Sequence, residues 1–185
     1  ILKKQDDAIL RIQEIVRNLL SLSRDGSADG MQDEQLITII QESLALCKEM
    51  ACRNGVDLIF DPGDNQFPVS CNKVQIGQVI LNLINNSFDA VVGSERAWIK
   101  IEIIEDSESI VTKFIDSGSG IPDEIAQKVM SPFFTTKDVG KGTGLGLSLS
   151  SSIIHEHGGI LELDSEAPNT CFVVRLPKRF RRKNI

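Results

Sequence analysis

The stretch at residues 78–91, QVILNLINNSFDAV, decides how the rest of the chain is read. Ile80, Leu83 and Phe88, with Ile76 just upstream, keep a helical spacing that lays one apolar face on a sheet. Asn82, Asn86 and Asp89 recur at i, i+4 and i+7 on a different face. Asparagine is a poor helix former, so this second face is either plain solvated surface or a row of neutral oxygens closed by a carboxylate. The second arrangement suits a hard cation such as Mg2+, which takes one or two protein oxygens and fills its remaining positions with phosphate and water. Asn72 is placed to cap the start of this helix. Gly77 interrupts its first half, at a cost of about 1 kcal/mol of helix propensity relative to alanine.

Upstream of it, Leu36, Ile37, Ile40, Leu44 and Cys47 mark another helix, which ends at Asn54-Gly55 where a left-handed cap is easy. A strand at residues 56–60, a turn at Asp61-Pro-Gly-Asp64 and a short strand at residues 67–69 lie between the two helices. Downstream, alternation over residues 98–105 and 110–115 around Asp106-Ser-Glu-Ser109 predicts a hairpin. A short helix opens near Pro122, and a longer one runs from Gly144 to His157, where Gly158-Gly159 stops it. Strands at residues 160–164 and 171–176 close the chain. Helices and strands mix without a βαβ rhythm, so the expected class is an α/β two-layer sandwich with a mixed sheet.

The composition agrees with a soluble globular domain: 185 residues, 41% hydrophobic and 25% charged. No apolar run approaches the ~20 residues that span a bilayer. The formal charge is −6, yet five of the twenty basic residues fall in the last eight positions, so the body without them carries −11. An acidic body excludes nucleic acid as a general partner, because phosphate backbones need a basic face. Cys47, Cys52, Cys71 and Cys171 lack paired C-x-x-C spacing and read as reduced thiols of a cytoplasmic protein. The chain opens on Ile1, and the expectation is a fragment of a longer protein.

Two further segments carry chemistry. Asp116-Ser-Gly118-Ser-Gly120-Ile121-Pro122 follows the second hairpin strand, placing a carboxylate at the sheet's mouth beside backbone that a flat ligand can approach closely. Such a carboxylate accepts well from an exocyclic amine like that of adenine, although a capped tight turn has the same letters. Residues 131–150, SPFFTTKDVGKGTGLGLSLS, alternate Gly140, Gly142, Gly144 and Gly146 into a helix start, flanked by Lys137 and Lys141. Backbone N–H groups at a helix N-terminus with two ammonium groups suit a polyphosphate. The spacing matches neither a P-loop nor a dinucleotide fingerprint.

Taken in order, these segments resemble the N, G1, F and G2 boxes of sensor histidine kinases, in the superfamily that includes gyrase and mismatch-repair ATPases. The resemblance covers residues 10–177 and implies a Bergerat-type ATP-binding fold. It implies that Asn86 holds the Mg2+ that bridges the phosphates, with Asn82 supporting phosphate or metal-bound water and Asp89 among the ATP-binding residues, and that Asp116 receives the adenine amino group. Gly118, Gly120 and Ile121 would line the base pocket, and Thr170 would help hold adenine. Phe133, Phe134, Thr135, Thr136 and Lys137 look like the F box, and Lys141, Gly142, Thr143, Gly144, Leu145 and Gly146 like the G2 box. Before the last strand the family often has G-x-G-T; here Ala167-Pro-Asn-Thr170 keeps only the threonine. Asp89-Ala90, the Phe-Phe-Thr-Thr-Lys run and His157-Gly-Gly are similar to the nitrogen-regulator-type branch.

ATP-hydrolysing relatives carry a glutamate four residues before the metal-binding asparagine, a general base for water. Here that position is Asn82, which has no useful basicity. The resemblance therefore implies phosphoryl transfer from Mg-ATP to a histidine on another helix, for relay to the aspartate of a response-regulator receiver domain. The alternatives are a degenerate nucleotide-sensing module and a slow ATPase. Residues 1–24, with Leu2, Ile9, Ile12, Val16 and Leu19 on a 3.5-residue seam, resemble the second helix of the dimerisation and phosphoacceptor domain of a homodimer. Residues 25–33 read as a linker, 34–178 as the catalytic domain and 179–185 as a basic tail. The only histidines, His155 and His157, sit at a helix end and read as structural, so the phosphoacceptor histidine is expected outside these residues.

Overall fold

The computed structural model describes residues 30–137 and 142–178. In chain order the elements are β1 (Gln32–Gln35), α1 (Leu36–Arg53), β2 (Val56–Phe60), β3 (Pro68–Cys71), α2 (Lys73–Val91), β4 (Ala97–Glu105), β5 (Ser109–Asp116), α3 (Asp123–Ala126), α4 (Gly146–Glu156), β6 (Ile160–Leu163) and β7 (Cys171–Pro177). Residues 1–24, the basic tail 179–185 and Lys141 lie outside the described residues.

The β4–β5 hairpin is the centre of a five-stranded sheet of order β2-β4-β5-β7-β6. Only β2 and β4 run parallel; the other pairs are antiparallel, which makes the sheet mixed as expected. The hairpin's turn is closed by Asp106, whose carboxylate accepts the Ser109 hydroxyl at 2.8 Å and the amides of Ser109 and Glu108 at 2.7 and 3.0 Å. The Ser109 hydroxyl and these amides hold the Asp106 carboxyl down at about 2.

α1, α2 and α4 cover one face of the sheet. α1 and α2 each present an i, i+3, i+4, i+7 stripe: Leu36, Ile39, Ile40 and Ser43 on α1, Ile76, Val79, Ile80 and Leu83 on α2. α4 adds Leu149, Ser150, Ile153 and Ile154. The stripes close on Ile99, Ile101, Phe114, Phe172, Val174 and Leu176 from the strands. Ile37 and Leu44, which share the α1 seam in the sequence reading, are only partly buried at its margin. Leu83 is fully enclosed, and its truncation to alanine is a loss of about 2–5 kcal/mol. Between α1, α2, α4 and the sheet, Leu36, Ile40, Phe114 and Ile154 line a small cavity into which Thr112 also faces. The Thr112 hydroxyl has no hydrogen-bond partner there.

One strand differs from expectation. Residues 32 and 33, read as linker, belong to β1, which pairs antiparallel with β3 from Gln32↔Cys71 to Gln35↔Pro68. Gln-Asp-Glu-Gln has no alternation of its own, and the ladder comes entirely from its partner. The pair brings the start of α1 to Phe67, whose carbonyl accepts from Leu36 N–H and whose amide donates to Gln35 Oε1.

The two helices that matter for the site are fixed at their far ends by a buried histidine. Asn72 caps α2, its Oδ1 accepting from Val74 and Gln75 amides at 3.1 and 3.2 Å. Its backbone N–H donates to His157 Nε2 at 3.0 Å, and His157 Nδ1–H donates to Ile153 O at 2.7 Å. Both ring nitrogens of His157 are thus engaged in the neutral form, and burial pushes its imidazole below the ordinary value. Gly159 follows because Arg175 O passes where a Cβ would stand.

Candidate functional site

The mouth of the sheet forms one end of the site. Asp116, the last residue of β5, is 1% exposed. Its Oδ1 accepts from Gly118 N–H at 2.9 Å, and its own amide donates to Thr170 O at 3.1 Å. Burial raises the Asp116 carboxyl above its usual range, while the Gly118 amide and the Ser87 and Thr170 hydroxyls draw it back. A Cβ at Gly118 would lie 2.7 Å from Asp116 Oδ1 and 3.3 Å from Thr170 Oγ1, so only glycine lets the loop fold over the carboxylate. The loop is tied back by Ser117, which exchanges hydrogen bonds with Trp98 at 3.0 and 3.1 Å. Gly120 takes φ +84, which the chain needs to turn toward α3.

Two residues at this end had no signal in the sequence. Asn169 Nδ2 donates to Gly118 O at 3.0 Å, so the Ala167-Pro-Asn-Thr170 turn braces the loop after β5 with a side-chain amide. Ser87 Oγ is buried beside Asp116 and makes no hydrogen bond of normal geometry. A buried carboxylate whose one regular donor is a single backbone amide keeps acceptor capacity for a hydrogen-bonding ligand.

The other end lies along α2. Asn82 Nδ2 donates to Ser150 Oγ of α4 at 2.9 Å. Gly146 opens α4 directly against Asn82 Oδ1, leaving no room for a Cβ. Lys137 reaches from the F-box segment to this helix: its Nζ pairs with Asp89 Oδ2 at 2.5 Å and lies 3.4 Å from Asn86 Oδ1. Thr135 Oγ1 accepts the Lys137 amide at 3.2 Å. Gly142 packs against Thr135 and the Lys137 stem, where a Cβ would lie 2.7 Å from Thr135 Oγ1.

The G2 segment turns through Gly144 at φ +65, its backbone so close to Phe133 that any side chain would strike the Phe133 carbonyl. Phe133 is itself at φ 65, the one non-glycine residue of the described chain in that region. Phe134 lies half-buried beside it and Thr136 is exposed. α4 begins at Gly146, two residues later than expected, with Leu145 at its N-cap and no side-chain cap. Thr143 Oγ1 accepts from Leu145 N–H at 3.4 Å. An uncapped helix start leaves its first amides for an anion.

The structure therefore gathers Asn82, Asn86, Asp89, Lys137 and residues 142–146 at one end, and Asp116, Gly118, Gly120 and Thr170 at the other, with Ile121 packed against the core between them and α3. Among the described residues no group of three or more His, Cys, Asp or Glu side chains could hold a metal, and no helix is long and apolar enough to cross a membrane.

A mixed five-stranded sheet under three helices, with a buried aspartate at its mouth and an asparagine-lined helix opposite a glycine-rich helix start, defines an ATPase-type nucleotide fold. Residues 71–179 match the family described as histidine kinase-, DNA gyrase B- and HSP90-like ATPase, and the chain belongs to it. It is 32% identical to the sensor kinase CckA of Brucella abortus over 94% of this chain and 20% of that protein. The nucleotide-free catalytic domain of histidine kinase ThkA has the same fold, with a TM-score of 0.73 and 32% identity over 80% of this chain and 96% of that one. ThkA in complex with the response regulator protein TrrA gives a TM-score of 0.76 at 28% identity, covering 94% of this chain and 49% of that one. The chain spans 20% to 37% of the length of the curated relatives it matches.

Proposed function

We propose that this chain is the ATP-binding catalytic part of a two-component sensor histidine kinase. It would present the γ-phosphoryl of Mg-ATP to a histidine on a dimerisation helix, for relay to a receiver-domain aspartate. The observation that carries the nucleotide reading is Asp116: a carboxylate that is 1% exposed, accepts from the Gly118 amide and is flanked by the Ser87 and Thr170 hydroxyls. A buried acceptor of that kind is retained where a ligand's donor completes it. Gly118, Gly120, Ile121 and Thr170 would line the base pocket. Gly142, Thr143, Gly144, Leu145 and Gly146, with Lys137 and Lys141, would surround the phosphates.

The donor set at the other end fits a magnesium ion that arrives with its phosphates. Asn86 Oδ1 accepts a long bond from Lys137 Nζ at 3.4 Å, and its second lone pair would give Mg2+ one hard neutral ligand, with phosphate and water completing the shell. When bound, the ion neutralises charge that builds up on the phosphoryl group. Asn82 spends its amide N–H on Ser150 and has no basicity to activate water, which supports transfer over hydrolysis. The structural neighbour seen with TrrA supports a receiver domain as downstream partner. The four cysteines are all free thiols, which supports a cytoplasmic setting. Residues 1–24, 25–31 and 32–178 would then serve as bundle helix, linker and catalytic domain of a homodimeric kinase.

Neither histidine of the chain suits the acceptor role. His157 is buried with both nitrogens bonded, and His155 lies in the last turn of α4. Incubation with Mg2+ and γ-labelled ATP is expected to leave the chain unlabelled, and adding a helix that carries the acceptor histidine is expected to yield acid-labile phosphohistidine on that helix. Label on His155 or His157 contradicts the assignment.

A further inference from the structure

The row Asn82, Asn86, Asp89 contains one oddity. A negative charge at the phosphate end of a nucleotide site repels the ligand, since two unit charges at 4 Å still interact by ~1 kcal/mol in water and more near a protein surface. Asp89 is not compensated by its own helix, which has no basic residue in its last turn. Its partner comes from 48 residues away: Lys137, whose ammonium bridges Asp89 Oδ2 and Asn86 Oδ1. The lysine side chain is 33% exposed and the aspartate 51%. Its stem is fitted against Gly142, where a Cβ would come within 3.2 Å of Lys137 Cδ, and its amide is turned by Thr135 Oγ1. Three points of the chain thus aim one ammonium at the oxygen of Asn86.

We propose that Asp89 is a positioning residue that acts on nucleotide through Lys137: it draws the F-box lysine onto α2, so that a cation stands beside Asn86 before the phosphates arrive. This rests on the ATP-binding reading above and deepens it. A free lysine on a loop loses rotamer freedom when it engages a ligand, and one already held by a carboxylate has lost it beforehand. The lysine serves the phosphates only if that gain exceeds the repulsion that the carboxylate itself adds.

The two effects have opposite signs, which makes the proposal testable by a double-mutant cycle. Coulomb's law alone requires Asp89→Asn to tighten ATP binding, because it removes a negative charge from beside a polyanion. Positioning requires the reverse: Asp89→Asn weakens Mg-ATP binding about threefold to tenfold in the wild-type background. In a Lys137→Met background the same substitution is neutral or tightens binding, since there is no lysine left to position. The measurement is the Kd for Mg-ATP by titration calorimetry on the 185-residue chain and its three variants, with melting temperatures compared to show that all four are folded. Reversal or disappearance of the Asp89→Asn effect between the two backgrounds supports the proposal. An equal loss in both backgrounds assigns Asp89 to the ligand directly and overturns it, as does tighter binding by Asp89→Asn in the wild type. Asp116→Ala run alongside separates the two levels. If wild type and Asp116→Ala bind ATP alike, the nucleotide reading itself fails; if Asp116→Ala loses binding while the Asp89→Asn effect neither reverses nor disappears between the two backgrounds, only the role of Asp89 fails.

Discussion

The two ends of the site are built in opposite ways. The end around Asp116 is buried, braced by backbone amides and hydroxyls, and drawn from segments that the sheet already holds together. The end around Asn86 is half open to solvent and is held by an ion pair between α2 and Lys137 of the F-box segment, beside the Asn82–Ser150 hydrogen bond. In the ATP-binding reading, a flat, neutral base would be recognised by the preformed pocket and a charged chain of phosphates met by side chains that can adjust. The buried end should therefore set affinity and the exposed end should set metal and salt dependence.

The largest expected effect is at the buried end. Asp116→Ala removes a hydrogen bond to a charged acceptor, about 1.5–3 kcal/mol, or roughly 10- to 100-fold in Kd. Calorimetry should show the same factor for ATP and ADP, with or without Mg2+. A loss confined to ATP would break the division between the ends.

A smaller effect concerns the joint that holds α2 and α4 together. The His157 imidazole is buried and neutral, so its folded value lies below the ordinary ~6.5 of the unfolded chain. Between those two values the unfolded state binds the extra proton. Stability therefore falls as the pH drops below about 6.5, and the loss levels off once the buried ring also protonates. Urea unfolding at pH 7.5 and pH 5.5 should show a steeper loss for the wild type than for His157→Gln; equal slopes would remove the histidine from that role.

The smallest is a control in the core beneath both ends. Thr112→Val replaces a buried hydroxyl without a partner by a methyl group of the same shape. The chain should become more stable by about 1 kcal/mol in chemical denaturation, with ATP affinity unchanged. A decrease in stability would mean that the hydroxyl has a partner.

Much of this was legible in the letters because it is local. The Asn72 cap, the apolar stripe of α2, the strand ending at Asp116 and the hairpin turn at Asp106 are each decided within a few residues, and the structure has all four. What stayed hidden depends on pairings across the fold. β1 is a strand only because β3 lies beside it, so four polar residues gave no warning. The Asn169 brace on Gly118, the His157 bond to Asn72 and the Lys137 bridge to Asp89 join residues 51, 85 and 48 positions apart. Asparagine, histidine and lysine are common on surfaces, and no spacing rule marks the ones that meet. The position of Asp89 was readable, but its partner was not.

The proposed metal dependence of this site rests on one asparagine of α2, Asn86. The most direct test is the Kd for ATP with and without Mg2+, measured for the wild type and Asn86→Ala. Mg2+ is expected to tighten binding to the wild type by about tenfold, ~1.4 kcal/mol, and to make little difference to Asn86→Ala. An equal Mg2+ enhancement in both proteins would contradict it.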